Sequence, residues 1–148
     1  MEEHMNNIEK RGRLYGRGGF TLIELLVVMV ILGMLAAIVG PNLFGKVGKG
    51  KQSAAKTQIE MIGQALDSYR LDVGKYPNTS EGLNALNTNS GAAGWDGPYL
   101  KKGLPNDPWG KPYQYQSPGT HGDYDLSSLG ADGAPGGEGE NKDINSWE

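Results

Sequence analysis

The distribution of apolar and polar positions changes character along the chain. From Phe20 to Val39 the sequence reads FTLIELLVVMVILGMLAAIV, with Glu24 as its one charge. At about 1.5 Å per residue this run reaches about 30 Å, the thickness of a bilayer's hydrocarbon core. A buried core helix usually keeps a polar face, and this run has none. Pro41 follows at once, with Gly33 and Gly40 nearby. Proline removes one helical hydrogen bond and crowds the preceding turn, so a kink or local unwinding is expected there. Helical periodicity returns beyond the Gly/Lys-rich stretch 45–51. Ala55, Ile59, Ile62, Leu66, Tyr69 and Val73 recur at steps of four and three and form one apolar stripe. The stripe is too short for a coiled coil and is expected to pack on the protein's own sheet.

Gly74 and Pro77 stop this helix. Asn78-Thr79-Ser80-Glu81 matches a capping box, with Asn78 at the N-cap and Glu81 at the third helical position, and predicts a short helix through Leu86. Residues 87–97 read as a loop, and Leu104-Pro105-Asn106-Asp107-Pro108-Trp109-Gly110 as a turn cluster with an aromatic anchor. Residues 113–116 and 124–128 alternate like strands, with 117–123 joining them as a hairpin. Few strands, all late, after a long helix predict an α+β fold: one long helix on a small antiparallel sheet.

The chain has 148 residues, a net charge of −3, no Cys, two His and 24 Gly. Without cysteine there is no disulfide framework or thiolate site, and zinc sites of the His/Cys type are implausible. The charge balance argues against a nucleic-acid partner held by clustered cations. Lys10, Arg11, Arg13 and Arg17 precede the apolar run, and the next charge after Val39 is Lys46. The positive-inside rule then keeps the N-terminus in the cytoplasm and sends the remainder across. A cleaved secretory signal would have a shorter apolar core and a small-residue cleavage site, for which Ala36-Ala37 is a weak candidate.

Glu24 is the chemical anomaly of the run. A carboxylate in hydrocarbon costs about 2.5–3.5 kcal/mol on insertion scales. It either snorkels to the nearby cytoplasmic face or is neutralised by a cation. The string Arg17-Gly18-Gly19-Phe20-Thr21-Leu22-Ile23-Glu24 resembles the processing site of type IV pilin-like precursors. That resemblance implies a leader over 1–19, cleavage between Gly19 and Phe20 by a prepilin peptidase, and N-methylation of Phe20. It also implies that the cation meeting Glu24 is the freed amine of Phe20 on a neighbouring subunit, setting the stagger of assembly. In the assembled state it implies extended chain near 33–41.

The strings Tyr76-Pro77, Glu81-Gly82-Leu83, Asp107-Pro108-Trp109-Gly110, Ser117-Pro118-Gly119 and Ser128-Leu129-Gly130-Ala131-Asp132-Gly133 resemble the major pseudopilins of type II secretion, a likeness covering Gly19 to Trp147. The implied fold is type IV pilin-like: a transmembrane, polymerising segment over 20–40, an amphipathic half over 41–75, and a periplasmic head over 76–148. Most type IV pilins close their C-terminal loop with a disulfide, which this chain lacks.

From His121 onward seven carboxylates face one lysine, Lys142, among five glycines in 130–139. Such a stretch buries little apolar surface and stays disordered unless something gathers it. A hard cation does so, because Ca²⁺ takes six to eight oxygens, backbone carbonyls included. Asp132, Gly137 and Asp143 have the first, sixth and last spacing of an EF-hand loop, but Ala134 and Gly136 occupy its third and fifth positions, so that motif is rejected. The pseudopilin resemblance implies a structural Ca²⁺ instead, with side-chain oxygens from Asp132 and Asp143 and backbone oxygens from Leu129 and Ala134.

The functional expectation is a structural one: the major subunit of a periplasmic secretion pseudopilus, anchored in the inner membrane. Its implied partners are copies of itself, minor pseudopilins, the prepilin peptidase, membrane lipid before assembly, and an inner-membrane platform with its ATPase. An adhesive or DNA-uptake pilin of the same superfamily is the alternative. An enzyme would rest on His121 near Asp123 and Asp125 with scattered serines, without a nucleophile elbow, and no catalytic residue is expected.

Overall fold

The computed structural model describes residues 18–148, so the basic flank with Lys10, Arg11, Arg13 and Arg17 lies outside the described residues. Helix α1 runs over Leu22–Val73. Two short 3-10 helices follow, Leu83–Leu86 and Gly139–Asn141, with strands β1 (Gln114–Gln116), β2 (Asp125–Ser128) and β3 (Ile144–Asn145). The chain divides into two compact units, Met1–Val39 and Gly40–Glu148.

In the first unit the apolar side chains of α1 have no cover. Leu22 is 88% exposed, and Ile23, Met29, Leu35 and Ile38 are exposed as well. Helical hydrogen bonding satisfies the backbone of this segment, as hydrocarbon requires.

The second unit holds the core. The stripe of α1 turns inward: Ala55, Ile59, Ile62, Leu66 and Tyr69 are buried, and Val73 packs at the margin. Ile59, Ile62, Leu66 and Tyr69 meet Leu83, Ala85 and Leu86 from the first 3-10 helix, Leu100 from the following loop, and Tyr113 and Leu126 from the sheet region. The expected packing of the stripe on the chain's own sheet is what the structure shows. Burying a Leu, Ile or aromatic side chain contributes about 1.5–3 kcal/mol, which makes this seam the main source of the head's stability.

The sheet is antiparallel in the order β1-β2-β3. Tyr115 pairs with Leu126, and Ser128 pairs with Ile144. The alternation in β2 places Leu126 and Ser128 inward. The hairpin between β1 and β2 is closed at its neck by the Ser117 hydroxyl, which donates to the Asp123 carbonyl at 3.0 Å. At its tip the Asp125 carboxylate accepts from the backbone N–H groups of Thr120 and His121 at 2.9 and 3.0 Å.

Two local expectations need correction. First, of the kink or local unwinding expected at Pro41, unwinding does not occur: Pro41 lies inside the one long helix, and residues 45–51 continue it. Glycine costs about 1 kcal/mol per helical position, which the flanking Leu43-Phe44 and Gln52 to Lys56 segments, rich in helix formers, tolerate. Second, the capping-box bonds form, with Asn78 N–H donating to Glu81 Oε2 and Glu81 N–H to Asn78 Oδ1, both at 2.8 Å. They close a turn, however, and the next helix starts only at Leu83 and is of the 3-10 kind. The acidic tail is gathered, as expected of it, and in part by its own backbone bonds. Ser146 N–H donates to the Leu126 carbonyl at 2.9 Å, and β3 extends the sheet.

Candidate functional site

Two places carry the chemistry: the start of α1 and the C-terminal acidic loop. Residues 18–20 precede the helix without secondary structure and are exposed. A Cβ added at Gly18 or Gly19 would meet nothing within 4 Å. The chain's own packing therefore does not require glycine at either position. A peptide bond between exposed, non-helical residues is accessible to a protease, which is the state a Gly19–Phe20 cleavage needs.

Glu24 is met by its own helix terminus. Its Oε2 accepts from the Thr21 N–H at 2.8 Å and from the Thr21 hydroxyl at 3.1 Å. The Thr21 hydroxyl in turn accepts from the Glu24 N–H at 3.2 Å. This is a reciprocal capping box: Thr21 caps the helix and Glu24 answers three residues on. It satisfies backbone donors that a helix start otherwise leaves open. The sequence reading of Glu24 allows only snorkelling or a foreign cation and misses Thr21. The Thr-x-x-Glu spacing, a capping signature, is the signal that points to it.

In the acidic loop the structure separates the expected ligands by role. Asp132 Oδ1 accepts from the Ala134 N–H at 3.1 Å. Asp143 Oδ2 accepts from the Gly136 N–H at 2.8 Å, while Asp143 Oδ1 is buried with no hydrogen-bond partner. An unpaired buried carboxylate oxygen costs desolvation energy unless something meets it. Two backbone carbonyls of the loop are already engaged: the Glu140 carbonyl accepts from Ala131 N–H at 2.9 Å, and the Ala131 carbonyl accepts from the Lys111 ammonium at 2.5 Å. Among the described residues no three Asp, Glu, His or Cys side chains converge, so a cation here draws chiefly on backbone oxygens. The orphaned Asp143 oxygen and a second carboxylate at Asp132 suit a hard cation. Gly137 lets the loop close: its φ is +95°, and a Cβ there would lie 2.6 Å from the Asn141 carbonyl oxygen.

Asp107, which sequence reading places only within a turn cluster, anchors that turn. It is 4% exposed. Its Oδ2 accepts from the Ser128 hydroxyl at 2.6 Å, and its Oδ1 accepts from the N–H groups of Trp109 and Lys111 at 3.1 and 2.8 Å. The Asp107-Pro108-Trp109-Gly110 turn is thereby pinned to β2.

His121 Nδ1 lies 2.9 Å from Asp125 Oδ2, and its ring stacks on Trp147 with centroids 4.0 Å apart. Its neighbours are a carboxylate and an indole, a structural setting for the tail.

An exposed apolar helix with a carboxylate near its start, joined to a small helix-on-sheet head, defines the class of pilin-like filament subunits. Residues 15–40 match the prokaryotic N-terminal methylation motif, and residues 42–147 match type II secretion system (T2SS) protein G. The type II secretion system core protein G of Pseudomonas aeruginosa is 51% identical over 138 residues, covering 89% of this chain and 96% of that protein. The Vibrio cholerae protein of the same name is 50% identical, covering 87% and 90%. The crystal structure of the major pseudopilin from the type 2 secretion system of enterohaemorrhagic Escherichia coli superposes with a TM-score of 0.61 at 36% identity, covering 72% of this chain and 95% of that one. The chain belongs to the protein G family of the type II secretion system.

Proposed function

We propose that the chain is the major structural subunit of a type II secretion pseudopilus. A prepilin peptidase cuts between Gly19 and Phe20 and methylates the new amino terminus. The segment beginning at Phe20 anchors the subunit in the inner membrane, with its head in the periplasm. Copies then leave the bilayer and stack, and the growing filament drives folded proteins through the outer membrane. Minor pseudopilins, the membrane platform and its ATPase are the partners. The chain acts by assembly, without catalysis.

The observation that carries this reading is the uncovered apolar segment of α1 with an acid at its start. Lipid covers such a surface before assembly, and neighbouring copies cover it afterwards. Glu24 is the selective element. Its local bonds to Thr21 lower the cost of burial but leave the negative charge, which the Phe20 amine of an adjacent copy neutralises at low dielectric.

The acidic loop holds a structural Ca²⁺ through the side chains of Asp132 and Asp143 and the backbone carbonyls of Leu129 and Ala134. The ion supplies charge neutralisation to a tail rich in carboxylates, and the loop's glycines let its backbone bend around it. The unpaired Asp143 oxygen supports this assignment.

Deletion of the gene, with complementation, tests the reading. Exported proteins accumulate in the periplasm of the deletion strain, and the wild-type chain restores their release while a Glu24→Leu chain does not. Undiminished release from the deletion strain overturns it.

A further inference from the structure

A second charged feature lies beyond the apolar run. Between Leu25 and Ile59 the chain contains no Asp or Glu, and it contains Lys46, Lys49, Lys51 and Lys56. All four lie on α1 in the second unit. The ion pairs among the described residues are Arg70–Asp123, His121–Asp125 and Lys142–Glu148, so none of these four lysines has a carboxylate partner there. Lys46, Lys49 and Lys56 are exposed. At about 100° and about 1.5 Å per residue, Lys46 and Lys49 lie within an arc of about 60° and about 4.5 Å of each other along the axis, while Lys56 lies about 15 Å beyond Lys46. In the same stretch Leu43, Phe44 and Val47 are 58, 74 and 49% exposed.

Exposed apolar side chains followed by unpaired lysines form an interfacial segment. The apolar groups enter the acyl boundary, and the lysine stems lie along it while their ammonium groups reach the phosphates. Behind Lys49 a hollow of about 400 Å³ is lined by Gln52, Ser53, Lys56 and Lys142. Amide and hydroxyl groups there complement the ammonium donors. Asp143 and Glu148 border the same hollow. Glu148 is paired with Lys142 at 3.8 Å, and one oxygen of Asp143 is occupied by the Gly136 N–H. The Glu140 carboxylate also lies against α1 at Gly48.

We propose that this face of α1, centred on Lys46 and Lys49, binds the phosphate headgroup of an anionic phospholipid in the leaflet the helix emerges from. The proposal rests on α1 being anchored in lipid. The site holds the membrane-resident subunit at a defined depth, and leaving the membrane for the filament breaks these contacts.

The test uses the full chain, extracted from membranes in a neutral detergent and supplied with equal amounts of phosphatidylglycerol and phosphatidylcholine. Native mass spectrometry counts the lipid retained. The wild-type chain keeps phosphatidylglycerol in preference. Replacing Lys46 and Lys49 together by Gln removes the preference, by about fivefold per lysine, while a chain with Lys101→Gln and Lys102→Gln keeps it. Raising ionic strength from about 0.01 to about 0.15 M shortens screening from about 30 to about 8 Å and weakens the preference. Equal retention of both lipids by the wild-type chain, an unchanged preference in the double variant, or complete displacement by inorganic phosphate overturns the proposal. Release of the chain by alkaline wash without detergent would instead overturn the anchoring on which it rests.

Discussion

The hydroxyl and backbone N–H of Thr21 both reach one carboxylate oxygen of Glu24, at 3.1 and 2.8 Å. The acid inside the anchor therefore arrives with part of its hydrogen bonding already met by its own chain. Insertion and assembly then make different demands on it. Insertion needs only that the carboxylate be tolerated, and local bonds near a helix start do that. Assembly, as proposed, uses its charge.

Glu24→Leu separates the two. The variant inserts at least as well as the wild type, because a carboxylate costing about 2.5–3.5 kcal/mol in hydrocarbon is gone. Its filament yield falls more than the approximately tenfold that 1.4 kcal/mol represents. Carbonate extraction measures the first quantity and sheared-filament yield the second. Normal yield from this variant removes the assembly role.

Thr21→Ala breaks the cap while leaving the acid. A lost N-cap costs about 1 kcal/mol, so amide exchange over the first turn of α1 rises about fivefold in micelles. Unchanged exchange means the cap contributes nothing.

Asp107 ties its turn to β2 through Ser128. Asp107→Ala leaves the fully buried Ser128 hydroxyl and two backbone N–H groups without their acceptor, at about 1–3 kcal/mol for each unsatisfied group. For a unit of this size the melting temperature drops roughly 4–8 °C per kcal/mol. Asp107→Asn keeps an acceptor oxygen and recovers part of the loss. Equal melting of all three chains contradicts the assignment.

Chelation addresses the acidic loop. A bound ion at about one hundred times its dissociation constant stabilises the head by about 2.7 kcal/mol. EDTA at neutral pH lowers the melting temperature and opens the tail to protease. Asp143→Asn shows the lowered value already and no further response. A chain indifferent to chelator has no cation site there.

Alkaline pH probes the core. Burial pushes the Tyr115 hydroxyl up to about 12, and burial followed by the nearby Asp107 charge raises Tyr113 further. In the unfolded chain both ionise near about 10. The folded state holds their protons where the unfolded state has lost them, so stability is full below about pH 10 and falls as pH rises toward 12. Tyr115→Phe makes that fall shallower, read as melting temperature against pH. An identical slope contradicts the burial argument.

Much of this is legible in the sequence. The Ala55-to-Val73 stripe repeats at helical steps, and periodicity of that kind reports which side is buried. The apolar anchor and its acid are legible from length and charge alone. Other features depend on partners distant in sequence. β3 is two residues, too short for alternation, and exists because β2 offers an edge to Ile144 and Asn145. Asp107 reads as one more turn residue because its partner lies 21 positions away. The bonds of the Asn78–Glu81 box are legible, but whether they open a helix or close a turn is decided by how Gly82 and Leu83 continue the chain. At Pro41 the sequence allows a kink or an unwound turn, and the chain stays helical through it.

Intact-mass measurement of the chain extracted from native membranes tests the whole account most directly. The mass should correspond to a protein that begins at a methylated Phe20. A population retaining Gly19 and the residues before it, in cells that carry out secretion, would contradict it.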